Sequence, residues 1–239
     1  MRDMTAVPAD APVVNVLVYP KMVMQDLIGP LTVLTILRCR TNLIWKDLRP
    51  CSTDVGIPVV AAQTFTQATP APDVLMVPGG ILGTIDCMND PAVMAFLADQ
   101  GKQARWVTSI CTGGLIIAAA GLLKGYDATA HWAVADLLPL MGARHIDQRV
   151  VTDRNRMTGA GVTAGIDLGL TLAARLRGEE AARNVQLTME YAPIPPFNSG
   201  TPRDAGSARV ATARSRRQWM DGQARIAAQA ARERLGLVI

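Results

Sequence analysis

No apolar stretch in the 239-residue sequence approaches the ~20 residues a membrane-spanning helix needs, so a membrane partner is not expected. The opening segment MRDMTAVPADAP lacks the hydrophobic core of a secretory signal, and residues 1–12 read as a flexible N-terminal segment. Histidine is scarce: His131 and His145 stand far apart, which argues against a metal centre. The four cysteines, Cys39, Cys51, Cys87 and Cys111, contain no C-x-x-C pair, so neither a zinc site nor a redox dithiol is indicated. Irregularly spaced free thiols fit a cytoplasmic protein.

A general surplus of positive charge is also missing. The chain carries a formal +4, but eight arginines and three acids lie from Arg203 onward, a surplus of five that leaves the body at −1. Nucleic-acid binding needs a basic face on a reading element. Arg214, Arg216 and Arg217 near Trp219 show no helix-turn-helix around them, so a nucleic-acid partner is not expected, and a solvated helical face accounts for the charge.

What is present is an alternation of strand-like and helix-like runs, 49% of the chain being hydrophobic. Residues 13–19, 41–47, 73–77 and 106–110 read as strands. Helices are predicted over 26–37, 91–103 (Asp90 as cap, Pro91 in first position), 112–123, 163–176, from Gly178 to about Tyr191, and within 207–235, with a further one from His131-Trp132 to Leu140. The run 57–65 reads as part of a hairpin beyond Gly56, and 149–158 as a hairpin turning at Asp153-Arg154-Asn155. The alternation predicts an α/β fold, a mostly parallel sheet with helices on both faces. Three domain-level pieces follow: the N-terminal segment, a body over 13–202, and an Arg/Ala-rich helical extension over 203–239 that packs on the body or on a second subunit.

In such sheets ligands bind beyond the carboxyl ends of the strands, and three strand-end loops carry unusual residues. In TSICTGG, Cys111 stands between strand and helix, the setting of a nucleophile elbow; a helix N-terminus there favours thiolate. A buried structural cysteine is the alternative, though it leaves Thr112-Gly113-Gly114 unexplained. Asp26 is either a helix cap or a carboxyl beside the thiol serving as general acid and base, and both roles can coexist. Gly79 and Gly80, with Ile81 after them, form either a plain turn or a place where backbone N–H groups meet substrate or developing negative charge. His131 beside Trp132 is a packed or interface residue, or one that orients the cysteine.

Taken together, QDLIGP, VLMVPGG, VTSICTGG and ATAHW resemble the DJ-1/PfpI superfamily over roughly residues 13–200. The resemblance implies a flavodoxin-like α/β sandwich, usually a homodimer with the cysteine near the interface. TSICTGGLIIAAAGLLKG, ATAHWAVADLL, GAGVTAGIDLGLTLAA and VQLTMEYAPIPPFNSGTP resemble its isocyanide-hydrating branch. That likeness implies a small-molecule isocyanide as substrate, an N-substituted formamide as product, and no cofactor. It also implies Cys111 as nucleophile, Asp26 as proton donor and acceptor, and Thr112 in support. Thr112 stands where the Cys-His branch has histidine, and Asp26 where the DJ-1 branch has glutamate. A glyoxalase-like hydration or a cysteine redox sensor are the rival expectations.

Overall fold

A strand apolar on both faces needs cover on both sides, and this chain delivers it helix by helix. The computed structural model describes residues 7–237. In chain order it runs β1 (Val13–Leu17), α1 (Met24–Ile36), β2 (Arg40–Trp45), β3 (Gln63–Thr64), β4 (Val74–Val77), α2 (Ile81–Met88), α3 (Pro91–Gln103), β5 (Trp106–Ile110), α4 (Gly113–Ala119) and β6 (Asp127–Ala128). A 3-10 helix (Ala135–Met141) follows, then β7 (Arg144–His145), β8 (Val150–Asp153), β9 (Arg156–Gly159), α5 (Ala164–Arg177), α6 (Glu179–Thr188), α7 (Pro202–Ala205) and α8 (Ser207–Arg234).

Seven strands form one sheet in the order β3-β2-β1-β4-β5-β9-β8, parallel except for β8, which returns antiparallel on β9. β6 and β7 pair in a small separate sheet. The central strands β4 and β9 are buried at every residue, and β1 and β5 at all but the first. The expected α/β architecture is therefore the one observed. Because β1, β4 and β5 are adjacent and parallel, their C-terminal ends open on the same edge, and the three unusual loops meet there.

One face is covered by α1, α5 and α6, whose crossing is close because small residues sit in it. A Cβ on Gly165 would come within 3.1 Å of the Pro30 ring, and one on Gly169 within 3.1 Å of Val33. The other face is covered by α2, α3, α4, the 3-10 helix and α8. The final helix lays Ala224, Ala227, Ala228 and Ala231 into this layer while most of its arginines stay in solvent.

Several local expectations change. Helix α1 starts at Met24, two residues earlier than the spacing suggests, and carries Pro30 within it. Helix α4 stops at Ala119 rather than reaching Leu123, because Gly121 turns the chain with a left-handed φ of +79°. The predicted helix after His131 is a 3-10 helix from Ala135, with Pro139 inside it. The run 57–65 returns antiparallel on Cys51 at Val59, but its end, β3, pairs parallel with β2 as an edge strand. Of the expected flexible segment, residues 1–6 lie outside the described residues. Asp10 forms an ion pair with Arg177 at 2.8 Å, and Ala11 and Pro12 are buried.

Candidate active site

Cys111 is the first of the two residues, Cys111 and Thr112, that turn the chain between β5 and α4. Its φ is +57°, a left-handed conformation that a non-glycine residue adopts at a cost of roughly 1–3 kcal/mol. Two backbone hydrogen bonds hold it there: Cys111 N–H donates to the Gly159 carbonyl at 3.0 Å, and His131 N–H donates to the Cys111 carbonyl at 3.2 Å. Glycine follows for a steric reason. A Cβ on Gly113 would lie 2.3 Å from the Val77 carbonyl oxygen, so only glycine lets the elbow cross the end of β4. The strand–turn–helix elbow expected from TSICTGG is thus formed.

Asp26 is fully buried in the first turn of α1. It is not the helix cap. Val23 occupies that position without a side-chain bond, and Asp54 accepts the Met24 N–H from outside the helix at 2.8 Å. The Asp26 carboxyl turns inward instead. Its Oδ2 accepts the Gly79 N–H at 2.9 Å, while Oδ1 is buried with no hydrogen-bond partner and is free to carry a proton. The carboxyl and the Cys111 thiol are close enough to shift one another's ionisation.

Electrostatics at this pair follow from burial. Desolvation pushes the Asp26 carboxyl up to about 7; the Gly79 N–H and the Cys111 thiol hold it back, and Asp54 adds to the rise. The thiol at Cys111 is pushed well above its ordinary range, first by burial and then by the Asp26 charge; the Thr112 N–H and the Arg217 cation act in the opposite direction. The expectation that the helix N-terminus favours thiolate over thiol is therefore corrected. Burial outweighs the dipole at this thiol.

The PGG loop packs against both groups. A Cβ on Gly79 would lie 2.7 Å from Asp26 Oδ2 and 2.7 Å from the Thr112 nitrogen, and one on Gly80 would lie 2.5 Å from the Met22 Cα. Gly79 N–H is spent on Asp26, and Gly80 N–H donates to Thr112 Oγ1 at 2.9 Å. In place of open donors awaiting substrate, the two amides tie the loop to the acid and to the elbow. Thr112 Oγ1 also shares a hydrogen bond with Thr84 Oγ1 at 2.7 Å, and Tyr19 donates to the Pro78 carbonyl at 2.8 Å. Ile81 opens α2 and lines a narrow crevice of about 10 Å³ with Thr84, Thr112, Leu115 and Arg217.

His131 meets the elbow through its backbone. Its Nδ1 accepts the Ala133 N–H at 3.3 Å, and its ring lies 5.7 Å from that of Trp132. Burial, assisted by Arg217, lowers its pKa to about 4, with Asp221 opposing. Among the described residues no group of three His, Cys, Asp or Glu side chains is placed to hold a metal ion, and no single helix is long and apolar enough to cross a membrane. Residues that sequence reasoning missed are Thr84, Asp54 and Arg217. Thr84 lies on α2, which follows the glycine loop without a side-chain cap to announce it.

Comparison with known proteins identifies the family to which this fold belongs. The DJ-1/PfpI family model matches residues 13–175. An isonitrile hydratase from Pseudomonas putida is 48% identical over 204 residues, 85% of this chain and 89% of that protein. A crystal structure of a ThiJ/PfpI family protein from Pseudomonas syringae superposes with a TM-score of 0.89 at 42% identity, covering 95% of each chain. The structure of Drosophila melanogaster DJ-1beta matches with a TM-score of 0.70 at 19% identity, covering 77% of this chain and all of that one, a likeness of fold alone.

Proposed function

This chain belongs to the DJ-1/PfpI family, and we propose that it is a cofactor-independent isocyanide hydratase that converts an isocyanide and water to an N-substituted formamide. The observation that carries the reading is the buried Cys111–Asp26 pair, with one carboxylate oxygen left free beside a thiol on a strained elbow. The 48% identity to an isonitrile hydratase supports the choice of electrophile.

A carboxyl near 7 divides its time between acid and base at neutral pH, and isocyanide hydration asks for both. In the first half, Asp26 takes the thiol proton as Cys111 sulfur attacks the terminal carbon of R–N≡C. The carbon gains electron density as the C–S bond forms, and protonated Asp26 returns the proton to it. The result is a covalent thioimidate, R–N=CH–S–Cys. In the second half, water adds to that carbon. One water proton passes through Asp26 to nitrogen, the C–S bond breaks, and the other restores the thiol, releasing R–NH–CHO. The Thr112 N–H stabilises charge on sulfur whenever the proton is away. The Thr112 hydroxyl acts by joining the glycine loop to the elbow.

A cytoplasmic homodimer completes the reading. The exposed apolar residues Leu187, Ile194 and Phe197 offer surface for a second copy.

The test is turnover of an aryl isocyanide followed by ultraviolet absorbance, with wild type and Cys111→Ala in parallel. Wild type is expected to form the formamide, and Cys111→Ala to lose at least ~10³-fold in rate. Retained activity in the variant would remove Cys111 from the mechanism. An inactive wild type that hydrates a 2-oxoaldehyde would redirect the function within the family.

A further inference from the structure

Most arginines of α8 are exposed, as a solvated helical face requires. Arg217 and Arg232 are the departures, and of the two Arg232 donates its Nε–H to the Leu237 carbonyl while Arg217 lines the crevice at the elbow. The Arg217 side chain is 16% exposed and pairs with Asp221 at 3.1 Å, and its Nε is buried without an acceptor. An unmet buried donor on a charged group is costly, so such a placement calls for a reason. Arg217, Met220, Asp221 and Ala224 close one side of the crevice of about 10 Å³ whose other side includes Thr112, the neighbour of Cys111. That volume is about one water molecule, so the helix is seated tightly over the elbow. Residue 217 also lies beyond residue 175, where the match to the family model stops.

We propose that Arg217 is a positioning residue for the Cys111–Asp26 pair: its guanidinium, anchored by Asp221, draws the pair's single negative charge from the Asp26 carboxylate onto sulfur. A pair that has lost one proton has two arrangements, carboxylate with thiol or carboxylic acid with thiolate, and only the second is strongly nucleophilic. A cation on the sulfur side favours the second. In keeping with this, Arg217 lowers the thiol at Cys111 against the opposing pull of burial and of Asp26. The other groups around the pair are accounted for. Asp54 acts on Asp26; His131, lowered to about 4 chiefly by burial, is mostly uncharged over the working range; and Tyr19, which feels both charges, is pushed well above its ordinary range by burial and stays neutral.

The inference rests on Cys111 as the reactive thiol but not on the identity of the electrophile. Its test is therefore alkylation of Cys111 by iodoacetamide from pH 5 to 9, read by peptide mass spectrometry beside the isocyanide assay. Thermal unfolding of each variant checks the fold. Arg217→Met is expected to slow alkylation at pH 7 by about 3- to 10-fold and to move the pH midpoint up by about half to one unit, with Arg217→Lys restoring most of both. A merely structural arginine would lower the rate without moving the midpoint. An Arg217→Met profile that superimposes on wild type, or an Arg217→Lys variant no better than Arg217→Met, would overturn the proposal. Alkylation that depends on Arg217 in an enzyme inert toward isocyanides would leave this inference standing and remove the hydratase reading.

Discussion

Cys87 and Cys111 are both about 3% exposed, and burial pushes both thiols well above the ordinary range. They differ in what surrounds them. Cys87 sits near the end of α2 in ordinary helix, with Asp90 and Asp86 as its main charged influences. Cys111 sits on left-handed backbone, with the buried Asp26 carboxyl raising its thiol and the Arg217 cation lowering it. Burial alone makes a thiol inert; under the proposed function, the buried carboxyl at Asp26 is what sets Cys111 apart.

The comparison breaks most sharply by deletion. Cys111→Ala should abolish turnover, whereas Cys87→Ala should keep activity within about two-fold, since Cys87 has no acceptor for its proton. Equal losses in the isocyanide assay would mean that the elbow is not special. Next, Asp26→Asn keeps an acceptor for the Gly79 N–H but cannot take a proton. It should lower kcat by about 10²- to 10⁴-fold with the fold retained; a near-normal rate would move the acid–base role elsewhere. Gly79→Ala follows, because the new methyl would press on Asp26 and the Thr112 amide. Steady-state kinetics should show a loss of about 10- to 100-fold in kcat, with a smaller change in KM.

The smallest effect concerns stability. Asp26 has a folded pKa of about 7 against an unfolded value of 3.8, so the folded state holds the proton longer. Stability is therefore lost as pH rises from about 4 to about 7 and levels off above, by a few kcal/mol at most from this group. Thermal melts should show wild type losing Tm over that window and Asp26→Asn losing less. Parallel curves would mean that the carboxyl is not held protonated.

Most of the fold was legible because the central strands are apolar-rich runs with turn residues close behind them: VVNVLVY before Pro20, DVLMV before Pro78-Gly79-Gly80, and WVTSI three residues before Gly113-Gly114. The cap of α3 was legible for the same local reason, and Asp90 accepts the Ala92 and Val93 N–H groups at 3.0 and 3.3 Å. What escaped depended on contacts distant in sequence. The helix α2 has no cap signal, and Asp54 caps α1 from 30 residues away. Arg217 looked like its neighbours because its burial is set by where α8 lands, not by the residues around it. The electrostatics at Cys111 escaped as well, since the depth of burial that outweighs the helix dipole is a property of the packed layer.

The left-handed residue at the elbow has a consequence for the history of the chain. Glycine at position 111 would relax the backbone, and a neutral side chain at position 26 would remove the burden of a buried acid. A search for hardier variants, run without asking whether they work, would therefore collect changes at these two positions first. Under the proposed function, these are the two positions where activity and stability are set against one another.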